Sequence, residues 1–309
     1  MIRYILKRIL MMIPVLLAVS FIVYFLMDLA PGDIVSLKAP QDATQAEIDI
    51  MRTEMGLDGS LVERYVRYIF GLFRGDLGES LSMKRPVLDV FFERFPATLK
   101  LAVLSVVIAL AISIPLRISA ATHHRTWVDG VSMVISMLGV SMPAFWLGLL
   151  LIIVFSLNLG WFPSGGSTGF ASLILPAVAL GVGQAGNLTR ITRSSMLEVI
   201  RQDYLRTARA KGVPETTVIR KHALKNALIP IITVFGSTLG NALGGAVAIE
   251  TVFSWPGVGR LTVAAINSRD MTLATGCIIL FTVFLTVTLL LVDIAYAYVD
   301  PRIKAQYSK

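Results

Sequence analysis

Long apolar runs, separated by short polar stretches, dominate this chain. A helix that crosses a bilayer takes ~20 predominantly apolar residues, and six segments reach that length: 9–29, 97–120, 132–158, 172–190, 228–250 and 272–297. The pattern predicts an all-α polytopic membrane protein with six transmembrane helices. One long polar stretch, 30–96, interrupts it. Within that stretch Glu47–Met55 and Leu61–Phe73 place apolar residues at helical spacing, with Gly56, Gly59 and Gly75 as breaks. A small helical subdomain between the first two spans is expected.

Composition agrees with a bilayer setting. The 309 residues are 55 % hydrophobic and only 16 % charged, against ~25 % charged in soluble domains. Mean hydropathy is +0.73. The net charge of +8 does not point to nucleic acid, because the basic residues cluster between spans with no aromatic interleaving. Cys277, the one cysteine, lies in an apolar run and excludes an intrachain disulfide; it reads as a small core residue. The first run, after Arg3, Lys7 and Arg8, is too long for a signal-peptide core and leads into Asp28-Leu-Ala-Pro-Gly rather than a cleavage site, so it reads as a retained span.

Basic residues orient the spans, since short cytoplasmic loops carry the excess of Lys and Arg. Arg3, Lys7 and Arg8 precede the first span, Arg125 with His123 and His124 lies between the second and third, and Arg302, Lys304 and Lys309 follow the last. The 159–171 connection holds no Lys or Arg. Both termini are therefore expected in the cytoplasm and residues 30–96 outside. That long segment, with eight basic and eleven acidic residues, tests topology only weakly.

The most basic stretch is Arg190 to Lys225, with nine Lys or Arg against three acids. Good helix formers run to Lys211, Gly212 supplies a stop, and Pro214 suits the first turn of a second helix. The expected structure is two short helices meeting at a glycine. Left there, the segment could be a solvated basic loop.

Polar and small residues inside the spans suggest a path. Gly181, Gly183 and Gly186 in the fourth span, and Gly236, Gly240 and Gly244 in the fifth, would admit close backbone approach. Gln184, Asn187 and Asn241 should face protein or water rather than lipid. They are candidates for a translocation path or for helix-packing contacts. Pro143 should kink the third span and free a carbonyl. Met133, Met137 and Met142 suit core packing better than a soft-metal path. Trp161 and Phe162 read as an interfacial anchor, and Asp293 as a packing or interface residue rather than an ion-coupling one. Lys100 can snorkel outward, and Phe95-Pro96-Ala97-Thr98-Leu99 suits the start of the second span.

Several motifs resemble one family. Asp203-Tyr204-Leu205-Arg206-Thr207-Ala208-Arg209-Ala210-Lys211-Gly212, followed by His222-Ala223-Leu224-Lys225-Asn226-Ala227-Leu228-Ile229-Pro230, resembles the cytoplasmic signature loop of ABC importer permeases, and more narrowly their peptide/nickel branch. Arg206 stands where the superfamily has Glu, and Lys225 replaces its Pro; the branch's own version is intact. Gly56-Leu57-Asp58, Gly75 to Ser80, Arg85-Pro86-Val87, Gly139 to Gly148, Thr251 to Leu261 with Arg269-Asp270, and Val292-Asp293 with Asp300-Pro301-Arg302 match the branch too. Arg117, where the branch usually has a small residue, departs from it and places the inner end of the second span near that position.

The resemblance implies a type I ABC importer permease fold. It divides the chain into a cytoplasmic N-terminus and first span (1–29), a periplasmic subdomain (30–96), a five-helix permease core (97–300) containing a coupling loop (191–227), and a cytoplasmic tail (301–309). It further implies that Asp203, Tyr204, Arg206, Thr207, Ala208, Arg209, Lys211, Gly212, Pro214, His222 and Asn226 dock into a partner ATPase and transmit its closure. Ser141, Gln184, Asn187 and Asn241 are the path candidates. Trp255, Pro256 and Gly257 would lie near an outer gate, although a plain interfacial hairpin reads equally well.

Implied partners are a related second permease, two cytoplasmic ATPase subunits, an external solute-binding protein and the lipid bilayer. The chain itself binds no cofactor; ATP and Mg belong to the partner subunits. Peptides are the first expected cargo, with glutathione or a nickel chelate as alternatives. The chain holds no phosphate loop, nucleophile elbow or metal-ligand spacing, which disfavours an enzyme. Without a carboxylate near the centre of any span, an ion-coupled secondary transporter is disfavoured as well.

Overall fold

The computed structural model describes residues 2–29, 35, 39–40, 43–54, 57–122, 139, 141–200, 202–214, 217–218 and 224–299. Regular structure there is helical, apart from one isolated antiparallel bridge, Glu79 to Pro86. The helices are α1 (Ile2–Asp28), α2 (Gln45–Glu54), α3 (Leu61–Phe73), α4 (Val87–Thr122), α5 (Ala144–Leu151), which continues as a π-helical turn (Ile152–Asn158), α6 (Ala171–Ile200), α7 (Asp203–Ala210), α8 (Leu224–Val252), α9 (Val258–Asn267) and α10 (Met271–Val299). Among the described residues three stretches are long and apolar enough to cross a membrane: Ile9–Asp28, Val87–Ser113 and Met271–Val292. Ala144–Asn158 and Ala171–Gly186 are shorter apolar helices. Residues 123–138, including His123, His124, Met133 and Met137, lie outside the described residues.

Two boundaries differ from expectation. α4 begins at Val87, so Pro96 lies inside a helix rather than in its first turn. Pro86 supplies the start: the Glu79 to Pro86 bridge closes the preceding turn and the Pro86 carbonyl accepts Val90 N–H at 3.2 Å. Burial of Val87, Val90 and Phe91 then fixes that first turn. In the third apolar segment Pro143 does not kink a continuous helix. The chain bends at Met142, and Pro143 stands at the start of α5, its carbonyl accepting Trp146 and Leu147 N–H at 3.0 and 3.1 Å.

Two compact units divide the chain. One comprises Met1–Arg8, Pro96–Arg260 and Leu285–Lys309; the other, Ile9–Phe95 and Leu261–Phe284. In the first, α5, α6 and α8 pack on one another. Small residues permit it: a Cβ at Gly181 would stand 2.6 Å from the Ser105 carbonyl oxygen of α4, so α4 and α6 touch backbone to backbone, as the Gly spacing predicted. Gly236 and Gly240 of α8 instead lie under Leu285, Leu289 and Val292 of α10, while Gly244 faces open space. In the second unit, α3 stands on α1. The Tyr65 hydroxyl donates to the Leu17 carbonyl at 2.9 Å and lies 2.8 Å from the Ser20 hydroxyl, and Arg64 grips both Asp28 oxygens at 2.6 and 3.1 Å. The ends of α3 match the sequence reading because Ser60 and Glu63 form a capping box. Phe91, Phe92, Phe95 and Phe284 stack at centroid separations of 4.3 to 5.9 Å.

Candidate functional site

The basic segment is helical up to a well-formed stop. α6 runs to Ile200, ten residues past its predicted end, so Glu198 is helical and the loop proper starts later. Gln202 precedes α7 in an extended conformation without a side-chain cap. Asp203 in the first turn and Arg209 in the last both complement the helix dipole. At the C-terminus Gly212 N–H donates to the Arg209 carbonyl at 2.9 Å and Val213 N–H to the Ala208 carbonyl at 3.3 Å, with Gly212 at φ +75°. This pair of bonds is a Schellman closure, which needs a left-handed residue. Beyond it the Pro214 carbonyl accepts Thr217 and Val218 N–H at 2.9 and 3.0 Å, the opening of the second helix.

Little side-chain surface fastens this element. Leu205 and Val218 are buried, while Asp203, Tyr204, Arg206, Thr207 and Lys211 are exposed and Ala208 and Arg209 partly so. The Thr207 hydroxyl bonds back to the Asp203 carbonyl at 3.1 Å. The Arg206 to Asp203 ion pair is 3.7 Å long with side chains 78 % and 95 % exposed, so water screens it and it contributes little. His222 lies outside the described residues. Asn226 is in the first turn of α8, with only its backbone described.

The candidate path residues are not joined by hydrogen bonds among the described residues. Ser141 and Asn241 are exposed, and Asn187 is placed in α6 by its backbone alone. Gln184 differs: its amide oxygen and nitrogen are both buried and without a hydrogen-bond partner. An amide offers two donors and an acceptor oxygen, and leaving such groups unmet costs roughly 1–3 kcal/mol.

The turn after α8 is built on a carboxylate that the sequence reading passed over. Glu250 is fully buried. Thr98 Oγ1 donates to its Oε1 at 2.6 Å and Arg260 N–H to its Oε2 at 3.0 Å. Thr98 Oγ1 in turn accepts Val258 N–H at 2.8 Å. The start of α9 thus delivers its free amides to the Glu250 and Thr98 pair. Trp255 N–H donates to the Glu250 carbonyl at 2.8 Å, and its indole Nε1–H to the Ala97 carbonyl at 3.0 Å. Trp255 and Gly257 are buried and Pro256 partly buried, so this turn is anchored inside the fold and is not a plain surface hairpin. A methyl at 257 would overlap the Glu250 carboxyl. The preceding loop joins in, with Gly166 N–H donating to the Phe253 carbonyl at 2.8 Å. Trp161, the expected anchor, is 64 % exposed and packs on Phe155. The only sequence signal for Glu250 was a carboxylate closing an apolar run ahead of Gly-Val-Gly.

A second carboxylate, in the other unit, ties two motifs far apart in sequence. Asp270 Oδ2 accepts the Ser80 hydroxyl at 2.6 Å, the Ser82 hydroxyl at 2.7 Å and Ser82 N–H at 2.8 Å. Its Oδ1 accepts Leu273 N–H at 3.1 Å, capping α10. Burial pushes the Asp270 carboxyl up, but these hydroxyl and amide donors outweigh it and hold the group below the usual carboxylate range. Among the described residues no group of three His, Cys, Asp or Glu could hold a metal ion.

The family profile described as "Binding-protein-dependent transport system inner membrane component" matches residues 113–305, and its N-terminal companion matches residues 1–102. The chain belongs to this family. It is an ABC importer permease of the inner membrane, a transport component of the peptide/nickel branch. The permease is 42 % identical over 304 residues to the glutathione transport system permease protein GsiC of Escherichia coli O6:H1, covering 98 % of this chain and 99 % of that one. It is 40 % identical, with the same coverage, to GsiC of Salmonella paratyphi A. In fold it resembles a chain of the MetNI methionine ABC transporter in inward-facing form, with TM-score 0.60, 18 % identity and coverage of 71 % of the permease and all of that chain. An amino acid ABC transporter chain gives TM-score 0.53 at 15 % identity, covering 70 % of the permease and 94 % of that chain. Membership implies, in general terms, a partner permease, an ATPase and a binding protein.

Proposed function

We propose that this permease forms, with a second permease subunit, the path for glutathione in an ATP-driven, binding-protein-dependent importer. The observation that carries the cargo is 42 % identity across nearly the whole length of a glutathione permease. This favours glutathione, one of the expected alternatives, over the peptides expected first. The unpartnered buried amide of Gln184 offers the donors and acceptor that an amide-rich solute requires. Ser141, Asn187 and Asn241 are proposed as further path residues.

In this reading six helices span the membrane with both termini in the cytoplasm, and residues 30–96 lie on the outer side. The turn at Trp255, Pro256 and Gly257 forms part of the outer gate. ATP and Mg bind the two partner ATPases, and this chain catalyses nothing. α7 docks on an ATPase through its exposed face, with His222 and Asn226 contributing from the following helix. The rigid closure at Gly212 turns ATPase movement into rotation of α6 and α8, the two helices that flank the segment, and so switches the path between sides.

Competition in uptake tests the cargo. Vesicles carrying the permease with its partner subunits and binding protein should take up labelled glutathione when supplied with ATP, and unlabelled glutathione should compete better than a dipeptide or a nickel chelate. Better competition by either of those would assign the cargo to it instead.

A further inference from the structure

Helix α3 has three distinct faces. Tyr65 and Tyr68 face the protein: Tyr65 packs on Phe21 and Tyr24 at centroid separations of 5.1 and 5.8 Å, and Tyr68 on Tyr24 at 5.5 Å. Glu63, Arg67 and Arg74 form a charged edge, where Arg67 pairs with Asp58 at 2.8 Å. Val62, Val66, Phe70 and Phe73 share a third face about 80° wide. These four are 59 %, 44 %, 61 % and 77 % exposed, and α3 has no fully buried residue.

The depth of α3 decides what covers that face. Tyr65 reaches α1 at Leu17 and Ser20, eight to eleven residues before Asp28. At 1.5 Å per residue this lies about 12–17 Å inside the end of the helix. The apolar span Ile9–Asp28 is itself only about 30 Å long, so the Tyr65 hydroxyl reaches well inside it, while Arg64, gripping Asp28, holds the same turn of α3 to the end of the span. The second neighbour agrees: a Cβ at Gly276 would stand 3.9 Å from the Tyr68 hydroxyl, five residues, or about 8 Å, inside the span that opens at Met271. Beside α3, α1 presents Phe21, Ile22, Phe25 and Leu26, each at least 40 % exposed. The surface of the span therefore continues onto α3, and a bilayer that surrounds one surrounds the other.

We propose that α3 is an interfacial helix whose Val62, Val66, Phe70 and Phe73 face is seated in the acyl boundary of the lipid bilayer. Its charged edge lies toward the headgroups, as in helices that rest on a membrane. The segment between the first two spans is then a membrane-attached collar and not a free-standing water-soluble subdomain. By holding α1 and α10 through Tyr65 and Tyr68, α3 fixes their relative height.

Spin labels on single cysteines test this in the full complex, reconstituted in vesicles of phosphatidylethanolamine and phosphatidylglycerol with Cys277→Ser as background. Labels at positions 62, 66, 70 and 73 should collide with oxygen several-fold more, relative to a water-soluble nickel chelate, than labels at 67 and 74. Equal ratios at both sets would overturn the proposal, showing a face in water. Shelter of the apolar positions from both reagents would overturn it as well, showing a protein partner there. As a check independent of labelling, Phe70→Trp should add fluorescence that brominated acyl chains quench; an added signal untouched by brominated lipid would count against it.

Discussion

Positions 212 and 257 both favour glycine, for opposite reasons. Gly257 has no room: a methyl there overlaps the buried Glu250 carboxyl. Gly212 has all the room it needs, with nothing within 4 Å of a Cβ, but adopts φ +75°. The first glycine serves packing, the second conformation alone. The surroundings follow suit. Around Glu250 each carboxyl oxygen accepts a donor from within the fold, whereas in α7 Leu205 is buried, Ala208 and Arg209 are partly covered and the other side chains are exposed. One region is held by contacts within the fold, and the other leaves most of its side chains exposed.

Substitutions should separate the two regions by size of effect. Glu250→Ala, which strands the Thr98 hydroxyl and the Arg260 amide, should cost on the order of 2–6 kcal/mol, two donors left unmet at about 1–3 kcal/mol each. Gly257→Ala should cost about 1–3 kcal/mol through overpacking. Both should appear as a lowered melting temperature of the detergent-solubilised complex. Equal melting of Gly257→Ala and the parent would show that the turn yields easily and is not the fixed region.

The Asp270 cluster extends the contrast to pH. Because the folded carboxyl is held below its ordinary range, its contribution is complete above about pH 4, the unfolded value, and is lost as pH falls through the folded value. Asp270→Asn should destabilise the protein at pH 7 and flatten the acid limb of a melting curve taken from pH 7 to 3. An unchanged acid limb would show that the serine donors do not hold the charge.

At the small end, Gly212→Ala should cost about 1 kcal/mol, the penalty for a side chain in the left-handed region, and leave the spans folded. Arg206→Ala should alter stability by less than about 0.5 kcal/mol, since its ion pair is solvated. A loss of ATPase binding with unchanged melting would then place Arg206 at the docking surface.

What could be read from the sequence was local. The α3 boundaries followed from apolar residues at helical spacing between the breaks at Gly59 and Gly75, and the stop at Gly212 from a run of helix formers ending in glycine. What escaped was long-range. Thr98 and Glu250 are 152 positions apart, and Ser80 and Asp270 190, so each looked like an isolated polar residue at the edge of an apolar run. Pro96 suggested a helix start because proline favours first turns, but burial of Val87, Val90 and Phe91 drew the helix back to Pro86. The Gly236 and Gly240 spacing announced close approach without naming the partner, which is α10. Among the path candidates whose side chains are described, Gln184 carries an unmet buried amide while Ser141 and Asn241 are exposed, and no sequence rule distinguishes it from Asn241.

The decisive experiment is the ratio of glutathione imported to ATP hydrolysed by vesicles holding the complete importer, with Gly212, Gly212→Ala or Gly212→Asn in this subunit. Asparagine tolerates the left-handed conformation and alanine does not. If the Schellman closure at Gly212 carries the coupling, alanine should lower the ratio while hydrolysis persists, and asparagine should restore it. One ratio shared by all three proteins would contradict a coupling role for this helix stop.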